Sequence, residues 1–249
     1  GKVSTHRDRA DVDVALLQRV LRHQQGHTHL QQQQRRQVAA PMAIALDVRS
    51  AAPHQLRLSK VPADVLALLA LRSLVLHGHN IATLPSALGA LAAVVTLRVT
   101  ACGVRTIQSN ALSMPALTSL VLTNNSIGAL PSLSACSSLE QLNVSQNALS
   151  ALPSSLVKCT RLRTLLAATN RLASLPRGMG AALTQLELVD VTSNALADVS
   201  ALAPPVGTTA ARPTALHTLR VSRNGRLRAL PAALSGHAHL RCVEATHCA

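Results

Sequence analysis

The sequence predicts an α/β solenoid, a curved horseshoe with a parallel β-sheet on its concave face. Three observations lead there. Leu71, Val94, Leu117, Leu139, Leu162, Leu186, Leu216 and Leu240 each open the pattern LxxLxLxxNxLxxLP, mostly about 23 residues apart, which is the period of a stacked coil and not of a helix or a sandwich. Within each pattern an alternating pair such as Leu142 and Val144 puts two side chains on one face of a short strand, while Glu140, Asn143 and Ser145 stay off it. One coil cannot cover its own leucines, so neighbours must share a core. The slot after each strand prefers Asn or Cys: it holds His79, Cys102, Asn125, Asn147, Asn170, Asn194, Asn224 and Cys248.

That slot sits where the chain leaves the strand and curves. A carboxamide buried there both donates to and accepts from the backbone of adjacent coils, and buried backbone groups need such partners. His79 departs from the pattern, with Asn80 one place later, so the register of the first full coil has two readings. The Leu–Pro pairs ending at Pro85, Pro131, Pro153, Pro176 and Pro231 fit a turn that requires no ladder N–H.

Over roughly residues 46–249, about four fifths of the chain, the pattern resembles the intracellular LPxxL type of leucine-rich repeat, the group that includes Ras-suppressor-like scaffolds. The resemblance implies about eight to nine coils and a partner-binding concave face. Fold alone does not choose among the many roles of such repeats.

The remaining residues, 1–45, are different material. From Asp11 to about Gln25, Val12, Leu16, Leu17, Val20 and Leu21 fall at helical spacing opposite Asp13, Arg19 and Arg22, which predicts an amphipathic helix capping the first coil. Gly26 to Gln37 follows as a polar, Gln-rich link with too few apolar residues to fold alone. His23, His27 and His29 lack a nearby carboxylate or Cys and make a poor metal site. Ala43 to Val48 reads as a first, irregular strand and Leu56 to Leu71 as a degenerate coil. Ala203 to Pro213 lengthens one return segment into a Pro- and Gly-containing loop, either a specificity element or a neutral insertion.

The chain has no Phe, Trp or Tyr, so its core must be aliphatic and its binding face lacks the residues that usually form interface hot spots. Lys plus Arg number 24 against 10 Asp plus Glu, a formal charge of +14. That charge fits acidic partners, and GC-biased coding explains an Ala-, Arg- and Leu-rich composition equally well. The five cysteines, an odd number, are scattered through the coils and not clustered in a cap, which favours a reducing, intracellular and most simply cytoplasmic location. No apolar run is long enough to span a membrane and no signal-peptide core opens the chain.

Function is expected on the concave face, where Arg72, Arg98, Arg163, Arg220 and Arg241 mix with Glu140, Gln141, Asn143, Glu187, Asp190 and Glu244. Mixed signs suit a protein-reading surface; a phosphate-tracking groove would be uniformly basic. The basic excess gathers as Lys158, Arg161, Arg171 and Arg177 around the fifth coil and as Arg212, Arg223, Arg226 and Arg228 around the seventh. These clusters favour an alternative role as a structural component of a ribonucleoprotein or cytoskeletal assembly, although no aromatic residue is present to stack bases.

No Gly-rich phosphate loop, H-E-x-x-H or G-x-S-x-G occurs, and Glu187 and Asp190, the closest acid pair, have no nucleophile beside them. The expectation is a non-catalytic interaction module or scaffold with no cofactor or metal.

Overall fold

The computed structural model describes residues 44–49, 57–204 and 215–248. Its main feature is a nine-stranded parallel sheet in which the strands follow one another in chain order. The strands are β1 (Ile44–Arg49), β2 (Leu71–His77), β4 (Thr96–Thr100), β6 (Ser119–Val121), β7 (Gln141–Asn143), β8 (Thr164–Leu166), β9 (Leu188–Asp190), β10 (Thr218–Arg220) and β11 (Cys242–Glu244). A second, two-stranded sheet pairs β3 (Thr83–Leu84) with β5 (Thr106–Ile107). The chain returns behind the sheet through α1 (Ala63–Leu66), α2 (Met179–Ala182) and short 3₁₀ turns. The expected N-terminal helix at 11–25, the link at 26–37 and most of the inserted loop lie outside the described residues.

The register is strict. Leu74, Leu97, Leu120, Leu142, Leu165, Val189 and Leu219 lie opposite one another across successive strands, and each has no solvent exposure. With the residues two places on, from Leu76 to Val221, they form an entirely aliphatic core seam. A one-residue slip would turn the seam outward, so burial and register enforce one another. At β11, the last described strand, Val243 pairs with Leu219 and is 41% exposed.

Each return segment is started by the same chemistry. Pro85, Pro153 and Pro231 precede the 3₁₀ turns Ser86–Ala90, Ser154–Lys158 and Ala232–Gly236, with the proline in extended geometry and its carbonyl accepting from the residue three places on. Proline's fixed φ suits the position, and no N–H is lost there. The sixth coil has Ser200 at that place, and Asp198 takes over: its carboxylate accepts from the Ser200 backbone N–H at 2.9 Å and from the Ser200 hydroxyl. Those bonds hold the Asp198 carboxyl below the usual range. Gly180 faces the neighbouring coil so closely that a Cβ would lie 2.1 Å from the Ala203 carbonyl oxygen.

The slot after each strand joins coil to coil. Asn125 Nδ2 donates to Val99 O of the preceding coil at 2.8 Å and to Leu122 O of its own at 3.0 Å, while Oδ1 accepts from Cys102 N and Val104 N, both at 3.1 Å. Asn147, Asn170, Asn194 and Asn224 repeat this arrangement, each donating to a carbonyl of the coil before and to one of its own coil, and accepting from one backbone N–H of the coil before. Cys102 and Cys248 supply only the donating half, their thiols reaching Leu76 O and Val221 O at 3.5 Å.

His79 resolves the ambiguity of the first coil. Its Nδ1 accepts from Leu58 N at 3.4 Å and its Nε2 lies 3.1 Å from Val48 O, so the imidazole spans the same gap as a carboxamide. Nδ1 as acceptor puts the proton on Nε2, which donates. Asn80 is exposed and does not hold the slot.

Replacing Asn170 with Ala removes the carboxamide acceptor of Leu149 N and one of the two Asn donors at Val144 O and at Ala167 O, which keep Asn147 and Asn194, and is expected to cost ~1–3 kcal/mol. Asn170→Cys, keeping a donor, is expected to lose less. Urea unfolding of both variants checks the order; equal losses would show that the carboxamide's donor half contributes nothing.

Candidate functional site

The outward side of the main sheet presents side chains in rows that run across the strands. The central row reads Asp47, Val75, Arg98, Val121, Asn143, Leu166, Asp190, Arg220 and Glu244. Two residues earlier on each strand runs Ser73, Thr96, Ser119, Gln141, Thr164, Leu188, Thr218 and Cys242. Just before the strands, backbone bonds align Arg72, Val95, Thr118, Glu140, Arg163, Glu187, His217 and Arg241. Of the eleven residues named from the sequence, Arg98, Gln141, Asn143, Asp190, Arg220 and Glu244 hold outward strand positions, and Arg72, Glu140, Arg163, Glu187 and Arg241 lie in the aligned row at the strand starts. One outward position behaves differently: Val121 is only 6% exposed, covered by its neighbours in a row of short strands.

Register brings charges together that are about a coil apart in sequence. Arg163 Nη1 lies 2.6 Å from Glu187 Oε1, and Arg220 Nε lies 3.0 Å from Glu244 Oε1. Both pairs are substantially solvated, so each adds little stability and serves mainly to orient the side chains. Glu244 hydrogen bonding raises the Arg220 pKa, with a smaller contribution from Asp190.

Several other polar groups bind locally. Asn143 Oδ1 accepts from Ser145 N at 3.1 Å, Asp190 Oδ1 from Thr192 N at 3.0 Å, and Ser119 Oγ donates to Gln141 Oε1 at 2.9 Å. Glu187 on its arginine and Asp190 on its own strand end are not placed as an acid and base facing a common atom. Hollows open on this face around Val75, His77, Arg98 and Thr123, about 420 Å³, and around Glu187, His217, Arg241 and Cys242, about 570 Å³. Among the described residues no His, Cys, Asp or Glu group could hold a metal ion.

The basic clusters do not converge as their sequence proximity suggests. Lys158 ends a return-segment turn and Arg161 stands where the chain approaches β8, whereas Arg171 follows the Asn170 slot on the opposite margin of the coil. Arg177 is exposed on the return side. Arg226 and Arg228 share a hollow of about 640 Å³ just beyond the Asn224 slot, and Arg223 is exposed nearby. Arg212 lies outside the described residues.

One relationship escaped the sequence reading. Cys136 and Cys159 occupy the same turn position in consecutive coils, each accepting a backbone N–H at its carbonyl from the leucine three places on. Their thiols donate to Leu112 O at 2.9 Å and Leu133 O at 3.6 Å. The shared slot, 23 residues apart, was the signal. Burial pushes the Cys159 thiol up to about 12, aided by the neighbouring Cys136, and burial likewise raises Cys102 and Cys136.

Comparison with known proteins fits this geometry. Residues 115–172 match the leucine-rich-repeat family model. No relative among curated proteins matches the chain. The fold is similar to that of a leucine-rich-repeat protein of Leptospira interrogans, at a TM-score of 0.66 and 21% identity over 76% of this chain and 46% of that one. It is also similar to an internalin, InlF, of Listeria monocytogenes, at 0.57 and 20% identity over 74% and 50%. A third likeness, at 0.54 and 18% identity over 77% and 37%, is to the functional domain of InlJ from Listeria monocytogenes, which includes a cysteine ladder. The chain thus spans half or less of the length of these structures. Residues 115–172 thus match leucine-rich repeats, and the chain shares the solenoid fold of these structures. No described helix is long and apolar enough to cross a membrane.

Raised thiol pKa values favour the folded state as long as the unfolded thiols stay protonated. Stability from Cys102, Cys136 and Cys159 is therefore fully present below pH 9.0 and declines as pH rises from 9.0 toward about 12. A thiol reagent at pH 8 should label the partly exposed Cys242 and Cys248 in the native chain and all five cysteines in denaturant; rapid native labelling of Cys159 would contradict its burial.

Proposed function

We propose that this chain is a non-catalytic protein-interaction module that reads a partner along the outward face of its nine-stranded sheet. The observation that supports this is the contrast between the two sides. Inward slots repeat Leu, Val or Ala and are sealed, whereas outward rows change residue from coil to coil. A surface that varies on an invariant frame can carry specificity without disturbing the fold, and solenoid folds commonly present such surfaces to proteins.

The paired Arg163–Glu187 and Arg220–Glu244 side chains make alternating charge at fixed spacing, which favours a protein partner with complementary charges over a polyanion. The Leu–Pro starts of the return segments favour the intracellular LPxxL type and a scaffold role of the Ras-suppressor-like kind. Free thiols at all five cysteines accord with a reducing compartment. Assembly through the Arg clusters is the weaker reading because Arg161 and Arg171 face opposite margins, although Arg226 and Arg228 share one hollow.

Affinity capture from the native source at moderate salt is expected to recover a stoichiometric protein partner. Glu187→Arg or Arg220→Glu should weaken that capture by about tenfold, as like-charge juxtaposition at an interface implies, with thermal unfolding unchanged within a few degrees. Undiminished capture by both variants would remove this face as the binding surface.

A further inference from the structure

The sheet face is electrostatically divided. On β8 to β11 the arginines Arg163 and Arg220 each have a carboxylate partner. Arg98 on β4 has none among the described residues: its neighbours in the central row are Val75 on one side and Val121 on the other. In that row the acid on this side is Asp47, two strands away, roughly 10 Å. Arg98 is exposed and lines the hollow of about 420 Å³, and no acidic side chain lines it with Arg98.

The rest of that lining supplies hydrogen-bonding groups. His77 Nδ1 lies 2.7 Å from Thr100 Oγ1, which fixes the ring; a Thr100 hydroxyl that donates to Nδ1 leaves the imidazole proton on Nε2. The Thr123 hydroxyl and the Asn124 and Gln146 carboxamides complete the polar wall, and Val75 gives it an apolar flank. One guanidinium among hydrogen-bonding groups matches one negative charge. A phosphate monoester, at −1.5 to −2, would leave excess charge uncompensated there, whereas a carboxylate would be neutralised by the arginine fork. The methylene stem of a glutamate would also find the valine flank.

We propose that this hollow receives a carboxylate side chain from an acidic segment of the partner protein, with Arg98 as its counter-ion and His77 and Thr123 as hydrogen-bond donors. The proposal rests on the sheet face being the binding surface and adds the chemistry of one contact. It assigns Arg98 a role different from that of Arg163 and Arg220: those two are paired within the chain, whereas Arg98 is held open for an incoming acid.

The test uses the full chain and a fluorescein-labelled oligoglutamate peptide, read by anisotropy, with a serine-phosphorylated peptide of neutral sequence as the second probe. Oligoglutamate should bind saturably and shift the His77 and Thr100 amide resonances. Arg98→Gln should weaken it about tenfold and Arg98→Lys less, because a point charge keeps attraction but loses the bidentate fork. Arg226→Gln, on a different margin, should leave it unchanged. Because Arg98 is exposed, its variants should keep the parent's circular dichroism and melting profile.

Equal binding by Arg98→Gln would overturn the site, as would equal loss in Arg98→Gln and Arg226→Gln, which would mean diffuse attraction by the chain's positive charge. Tighter Arg98-dependent binding of the phosphopeptide would overturn the carboxylate assignment. If partner capture responds to Glu187→Arg while oligoglutamate ignores Arg98, the carboxylate site fails and the sheet-face reading stands. If oligoglutamate requires Arg98 while capture ignores Glu187→Arg and Arg220→Glu, the site stands and the wider reading fails.

Discussion

The structure depends on a side-chain amide placed where each coil turns away from the sheet. At that point the backbones of two coils expose donors and acceptors that cannot reach one another, and water is largely excluded. Asn125, Asn147, Asn170, Asn194 and Asn224 satisfy both coils at once. The turn itself is strained: Ala101, Asn124, Gln146, Thr169, Ser193, Arg223 and His247 precede the slot with φ between 53° and 58°, the left-handed region. Such residues cost of order 1–3 kcal/mol each and persist only where surrounding contacts over-determine them. The first coil uses Gly78, at φ 73°, and so avoids that cost beside the less regular His79.

Once the turn is fixed, the uniform aliphatic core follows. Without any aromatic side chain, every coil is filled by leucine, valine, isoleucine, alanine, methionine or cysteine. Coils of like thickness keep the strands in register over the length of the sheet, and that register produces the functional surface. Arg163 meets Glu187 and Arg220 meets Glu244 only because successive strands pair without a shift.

Much of the frame was legible because it repeats. The period and the Asn slot specified parallel strands, and the outward residues could be named before any coordinates. Features set by one particular juxtaposition were harder to read. The role of His79 depends on imidazole geometry that substitutes for an amide, and Asn80 beside it offered a competing register. Pairing of Arg163 with Glu187, against Glu140 on its other side in the same row, is a rotamer choice that spacing does not determine. Clusters counted along the chain misled because a coil turns back on itself: Arg161 and Arg171, close in sequence, lie on opposite margins. The hollow at Arg98 required knowing that its cross-strand neighbours are Val75 and Val121.

The amide ladder also has a direction. Asn125 reaches back to Val99, Asn147 to Leu122, Asn170 to Val144, Asn194 to Ala167 and Asn224 to Val191. In every case the distant carbonyl belongs to the coil made earlier in the chain. As the polypeptide emerges during synthesis, each new carboxamide meets partners that have already been translated, and no coil must wait for a later one to satisfy its own amide. The solenoid is thus suited to assembly in step with translation, one turn at a time from the amino-terminal side.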